Sequence, residues 1–302
     1  MDKIMKQFLL MAALTAATTW AQGQPDFSKV EIKPTKLANN LTILEGQGGA
    51  IGVLTGPDGT FMVDTQFAPL SDKIAAAIKQ ISPGPIKFVV NTHVHGDHTG
   101  GNANFAKMGA TIIAREELRN RLVHPSPGAN GQPGTPAPAA ALPTMTYVGT
   151  LTLKMDGEEV RIIAIPRAHT DGDSIVQFVN ADVIMTGDYY RSVQFPNVDR
   201  ANGGSVKGLI DGLSRVIALA GPNTKIVPGH GQIVDRNAVM AHRDMAIDVM
   251  SKVSEMIKQG KSLEEVQSAK VSSSWEGKVK EAAMTGDRFV GQVYADLKTT
   301  MN

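Results

Sequence analysis

"NTHVHGDHTGG", residues 91–101, places His93, His95, Asp97 and His98 within six positions of a chain that has seven histidines in all. An apolar run, "IKFVV", leads straight into it and reads as a buried strand. In an extended segment His93 and His95 project to the same side, and a turn at Gly96 brings Asp97 and His98 round to a second position nearby. One short segment can therefore feed two metal ions. Imidazole with carboxylate suits zinc; iron, manganese and nickel fit less well, and ions that seek only oxygen do not call for so many nitrogens.

The same arrangement recurs further along the chain. His169 follows "RIIAIPRA", Asp188 follows "VIMTG" and His230 follows "KIVPG", so four apolar runs each deliver a metal-binding side chain just past a strand end. Strand ends are where α/β sheets assemble their sites, because the strands fix positions while the loops are free to carry polar groups. A closed structural zinc site is the main rival, but it takes four ligands and often cysteine. The chain has no cysteine, and seven candidate ligands exceed what one closed site uses. Two metals with room for water fit that count.

The remaining sequence supplies the frame. At 302 residues and 42% hydrophobic content, a sizeable core is available. "FMVDTQF", "ATIIA", "EVRIIAIPRAH", "SIVQFV" and "DVIMTGD" read as strands, whereas Ile74, Ile78 and Ile81, then Val206, Leu209, Ile210, Leu213 and Ile217, repeat at helical spacing. A further helix runs through Ala246, Val249, Met250, Val253 and Ile257. Strands and helices intermingle with no dividing linker, which predicts one α/β domain over residues 22–302 with helices covering sheet faces. Residues 124–144 are too rich in proline and glycine for a regular element and read as a solvent loop or as a lid. His124 and His242 lie outside the constellation and read as loop and helix-surface residues.

Thirty basic against 29 acidic residues, a formal charge of +1, leave no electrostatic footprint for nucleic acid. The expected partner is a small-molecule substrate. At the amino terminus Lys3 and Lys6 precede a short apolar run and then "TTWAQG", the pattern of a secretory signal peptide over residues 1–21. That reading predicts a periplasmic address and no stable membrane association after cleavage. The sequence gives no oligomeric state.

"HVHGDH", "AHTDGDS", "GDYY" and "PGHG" together resemble the metallo-β-lactamase superfamily, and "GPDGTFMVDTQFAPLSDKI" looks like its amino-terminal strand pair. The resemblance implies an αββα four-layer sandwich, two mixed sheets flanked by helices. It further implies two Zn2+ ions per chain: one held by His93, His95 and His169, one by Asp97, His98 and His230, with Asp188 bridging both. Asp97 and Asp188 are also the carboxylates it places in the reaction. By the same likeness Asp64 would orient a histidine ligand, although a strand-end turn former explains it equally, and Asp173 would be a support or a simple turn cap. Tyr189, Tyr190 and Arg191 would bind or polarise substrate, or pack.

Two zinc ions sharing a water lower its pKa to about 7, so that a hydroxide attacks an activated acyl bond without any serine or cysteine nucleophile. The expected reaction is opening of a β-lactam. Asp188 stands where one large group of true metallo-β-lactamases has cysteine, however, and a bridging aspartate is similar to lactonases and glyoxalase-type thioesterases, which form the alternative. A mononuclear iron dioxygenase is the more distant one.

Overall fold

The computed structural model describes residues 26–128 and 131–301; the leader expected over residues 1–21 lies outside the described residues. Strands β1 (Lys33–Lys36), β2 (Leu41–Glu45), β3 (Ile51–Gly56), β4 (Gly59–Val63), β5 (Ile86–Val90), β6 (Thr111–Arg115) and β7 (Met145–Tyr147) form one sheet in sequence order. Its first three junctions are antiparallel and its last three parallel. The second sheet runs in the order β12-β11-β10-β9-β8, built from β8 (Thr150–Met155), β9 (Glu158–Ala164), β10 (Ser174–Phe178), β11 (Val183–Met185) and β12 (Lys225–Val227). Only β11 and β12 pair in parallel there. Both sheets are mixed, as the family resemblance implies.

Alternation along the strands decides the layering. In β4, Phe61 and Val63 face the second sheet while Met62 turns the other way; in β5, Val90 and Val89 divide in the same manner. Phe61 and Val90 thus meet Ile162, Val176 and Phe178 between the sheets, and the Phe61 and Phe178 rings pack edge to face at 6.2 Å. Such a pair adds about 0.5–1.5 kcal/mol beyond its area. The outer face of the first sheet is covered by α1 (Ser71–Ile81), through Ile74 and Ile78, together with Phe105, which belongs to α3 (Asn102–Lys107), behind the short α2 (Gly96–Thr99).

After α4 (Glu116–Val123), the outer face of the second sheet is covered by α5 (Val206–Leu219) and α6 (Arg236–Lys258). Helix α5 starts where Ser205 Oγ accepts from the Gly208 amide at 3.0 Å, and it buries Leu209, Leu213 and Val216 on one side. Four layers result, α, β, β and α. The chain then continues through α7 (Leu263–Ser268), α8 (Ser273–Glu276) and α9 (Ala282–Met301), and α9 docks Phe289, Val290 and Val293 into the same core. Among the described residues of the 124–144 segment there is a single short 3-10 turn, Ala139–Ala141. That segment is tied down: Ala137 donates its amide to Leu122 O, and Ser126 Oγ donates to Ala201 O.

Candidate metal centre

The loop after β5 leaves the sheet at Val90 and delivers His93 to the buried interior; His95 then caps α2, which carries Asp97 and His98. The turn expected at Gly96 is this helical turn, closed by the His98 and Thr99 amides, which both donate to His95 O. It sends the two halves of the motif to different places. His93, His95, His169 and Asp188 form one group, while Asp97, His98, Asp188 and His230 form another, the ligand atoms in each lying within 4.8 Å of one another.

Asp188 divides its carboxylate between the groups. Its Oδ2 lies 3.9 Å from His93 Nε2 and 4.0 Å from His169 Nε2, whereas its Oδ1 lies 3.2 Å from His98 Nε2 and 3.3 Å from His230 Nε2. Close approach at this point depends on a glycine: a Cβ on Gly229 would stand 1.9 Å from Asp188 Oδ1.

The outer nitrogen of four rings fixes what the inner nitrogen offers. His98 Nδ1 donates to Asp64 Oδ2 at 2.7 Å, His95 Nε2 to Asp199 Oδ2 at 2.8 Å, and His169 Nδ1 to the Asn197 carbonyl at 2.8 Å. A carboxylate or carbonyl only accepts, so the proton sits on that outward nitrogen in each ring. Thr92 Oγ1 gives its single proton to Asp64 Oδ2 at 2.7 Å and can only accept from His93 Nδ1, 3.1 Å away. His93 Nε2, His95 Nδ1, His98 Nε2 and His169 Nε2 are thereby the ring nitrogens turned inward, those of His95 and His169 lying 3.0 Å apart.

These inward atoms are what a cation would satisfy. His93 Nε2, His98 Nε2, His230 Nε2 and Asp188 Oδ1 are buried and have no aligned hydrogen-bond partner among the described residues. Groups of that kind are costly to bury unless something completes them. Burial and neighbouring histidine charge hold His93 well below the ordinary histidine range and His169 down at about 4, so both rings are neutral as ligation requires. Burial opposes charge on Asp188 and His98, yet their mutual attraction prevails: Asp188 is held well below the ordinary carboxylate range, and His98, with Asp64 also beside it, well above that of histidine. Burial pushes Asp97 up, but His230, 3.0 Å away, and His98 together pull it down to about 2. The centre is therefore an anionic cage that favours positive charge, and the residues present fit a metal pair.

Asp64 occupies the orienting position. It is 1% exposed, sits at φ 62°, a conformation uncommon outside glycine, and also accepts the Thr92 amide at 2.7 Å. Asp173 instead caps its own turn: it takes the Thr170 amide and hydroxyl, is a member of neither ligand group, and is raised to about 7 by burial. Asp199, which holds His95, was not legible in the sequence, since a lone acid in "NVDRANGG" looks like the turn cap that it also is.

The structure decides between the readings open for the Tyr189–Arg191 triplet and corrects the surface placement of His242. Tyr189 and Tyr190 are 1% and 3% exposed within the core against α5 and α6, so their rings serve packing and do not line the centre. His242 is buried, not at the surface, because its face of α6 turns inward onto Tyr190, whose ring lies 4.8 Å away. Arg191 alone of that triplet faces the site, with Nε 3.7 Å from Asp188 Oδ2.

Residues 44–230 match the family model described as the metallo-beta-lactamase superfamily, and the chain belongs to that superfamily. Its two His/Asp groups are placed where they could hold metal ions. It is 30% identical over 161 residues to 2,4-dinitroanisole O-demethylase subunit alpha of Nocardioides sp. (strain JS1661), covering 50% of this chain and 46% of that one. Against hydroxyacylglutathione hydrolase of Polaromonas sp. (strain JS666 / ATCC BAA-500) the identity is 27% over 166 residues, 55% of this chain and 56% of the relative. The chain thus spans about half the length of the curated relatives it matches. In fold it superposes on a metallo-beta-lactamase from Pontibacter korlensis with TM-score 0.58 at 18% identity, covering 72% of this chain and 100% of that one.

Proposed function

We propose that the chain is an exported dinuclear zinc hydrolase that opens an activated cyclic amide, with a β-lactam as substrate. The observation that carries this reading is the split of Asp188, one oxygen toward each group of inward-facing nitrogens. His93, His95 and His169 would hold one ion with Asp188 Oδ2; Asp97, His98 and His230 would hold the other with Asp188 Oδ1. Nitrogen and oxygen donors without a thiolate suit zinc. When bound, a metal pair supplies a water of lowered pKa and a Lewis acid for the scissile carbonyl.

The chain's own residues do the rest. Asp64, Asp199 and the Asn197 carbonyl lock three rings in one tautomer, so no rotation is needed as substrate arrives. Asp97 and Asp188, both ionised at neutral pH, keep the cage anionic. Beside it an open cleft of about 540 Å³, with His95 in its wall, is large enough for a bicyclic substrate. Export is supported by the leader pattern of residues 1–21.

A second reading, thioester or lactone hydrolysis, is favoured by the Polaromonas relative and by the bridging aspartate. Assay of the zinc-loaded protein against a chromogenic cephalosporin, an acyl-homoserine lactone and an acyl-glutathione thioester separates these. Preferential cephalosporin turnover, lost in His95→Ala and Asp97→Ala, is the expected result. Turnover confined to the thioester would replace the β-lactam assignment, and full activity in either variant would remove the dinuclear site from the reaction.

A further inference from the structure

The family match ends at residue 230, yet α9 reaches back to the metal centre through one side chain. Gln292 Oε1 accepts from the Val198 amide at 3.0 Å, and its Nε2 donates to Asn197 Oδ1 at 2.8 Å. The Val198 amide and the Asn197 carbonyl are the two ends of one peptide group, and that carbonyl takes the His169 Nδ1 proton at 2.8 Å. A trans peptide group is planar, with its N–H and C=O directed oppositely. Rotating the plane so that the amide leaves Gln292 therefore swings the carbonyl away from His169.

The other anchors of α9 do not duplicate this hold. Thr285 Oγ1 accepts the Phe195 amide at 3.2 Å and Arg288 Nη2 donates to Phe195 O at 3.3 Å, both on other peptide groups, while the Phe289 ring stacks on that of Phe195. Further along, Asp296 Oδ2 accepts the Val206 amide at 2.9 Å. These contacts, with Val290 and Val293 in the core, dock the helix whatever residue 292 is. Gln292, Asn197 and Val198 all line the open cleft. Without the Gln292 amide, water would take the Val198 N–H and the Asn197 side chain, and water imposes no fixed direction on either.

We infer that Gln292 is a positioning residue for the first ligand group: it fixes the Asn197–Val198 peptide, which fixes the tautomer and direction of the His169 ring. A helix outside the family match thereby sets how firmly His93, His95 and His169 hold their ion. The inference rests on the proposed dinuclear reading and deepens it, since it assigns control of one site and not of the other.

The test uses the full chain as wild type, Gln292→Met, Gln292→Glu and Arg288→Gln, with circular-dichroism melting to show that each folds. Zinc titration against a competing chelator reads the two sites, and long-range proton–nitrogen spectra of the metal-free protein at pH 7.5 read the His169 tautomer. Gln292→Met keeps the bulk but not the amide. Its first-site affinity should fall by about tenfold, the low end of what loss of an outer partner costs, with the second site unchanged. His169, held as the Nδ1–H form in wild type, should become a mixture of both tautomers. Gln292→Glu should return most of the affinity, because a carboxylate still accepts the Val198 amide and Asn197 can turn its own NH2 toward the second oxygen. Arg288→Gln, which loosens α9 without touching this peptide, should behave as wild type. An unchanged first site in Gln292→Met, an equal loss at both sites, or the same loss in Arg288→Gln overturns the inference. If wild type binds no zinc, the metal reading fails and the tautomer alone decides: a His169 spectrum shifted in Gln292→Met and restored in Gln292→Glu upholds the positioning role, and an unshifted one rejects it.

Discussion

Asp64 Oδ2 lies 2.7 Å from His98 Nδ1 and also 2.7 Å from Thr92 Oγ1, which in turn meets His93 Nδ1 at 3.1 Å. One buried carboxylate thereby orients a histidine in each ligand group, directly in one and through a hydroxyl in the other. Asp64→Asn keeps the size and tolerates the positive φ, but its amide cannot accept from every one of these donors. The expected outcome is a fall of about 10–100-fold in zinc affinity at both sites. Chelator competition with metal analysis checks it; a loss confined to one site would break the proposed Thr92 link.

Asp199 acts on one side only. Its Oδ2 takes the His95 Nε2 proton at 2.8 Å and also the Asn202 side-chain amide at 2.7 Å, so it is itself held in place. Removing it in Asp199→Ala frees the His95 ring to turn. Zinc affinity at the His93, His95 and His169 site should drop by about tenfold or more, with the second site spared. Titration with zinc, followed by metal-sensitive dye competition, separates the two sites.

How far the sequence carried the reading depends on whether a contact is periodic or merely geometric. The strands behind His93, Asp188 and His230 stand at their expected places because continuous β-branched runs specify buried strands locally. Seven candidate ligands lie in two groups because each follows such a strand or sits in the motif itself. Asp199 belongs to the site through tertiary packing of its loop on α9, and neither spacing nor periodicity marks it. His242 and the Tyr189–Tyr190 pair show the reverse: polar-tipped side chains whose helix face or strand end turns inward, a direction that only the assembled layers determine.

Burial drives His242 down to about 3, far below an unfolded histidine near 6.5. Between those values the unfolded chain binds a proton that the folded chain refuses, so this residue destabilises the fold increasingly as pH falls from about 6.5 toward 3. The slope is at most about 1.4 kcal/mol per pH unit within that window. His242→Gln removes the term. The melting temperature of wild type minus that of the variant should be smaller at pH 5 than at pH 7.5, and an unchanged difference would show that His242 is not buried neutral.

Gly229 offers the most local test of the divided carboxylate. A methyl group there would lie 1.9 Å from Asp188 Oδ1 and 2.7 Å from the Gly187 carbonyl carbon, so Gly229→Ala must push Asp188 away from His98 and His230. The residue lies in the loop after β12, outside the three apolar core clusters. Far-ultraviolet circular dichroism should therefore remain close to that of wild type. Zinc content after dialysis is expected to fall from two per chain to one, because the second group loses its shared oxygen while His93, His95 and His169 persist. Retention of two zincs with wild-type turnover would mean that Asp188 Oδ1 is not a ligand, and the bridging role assigned to it would have to be withdrawn.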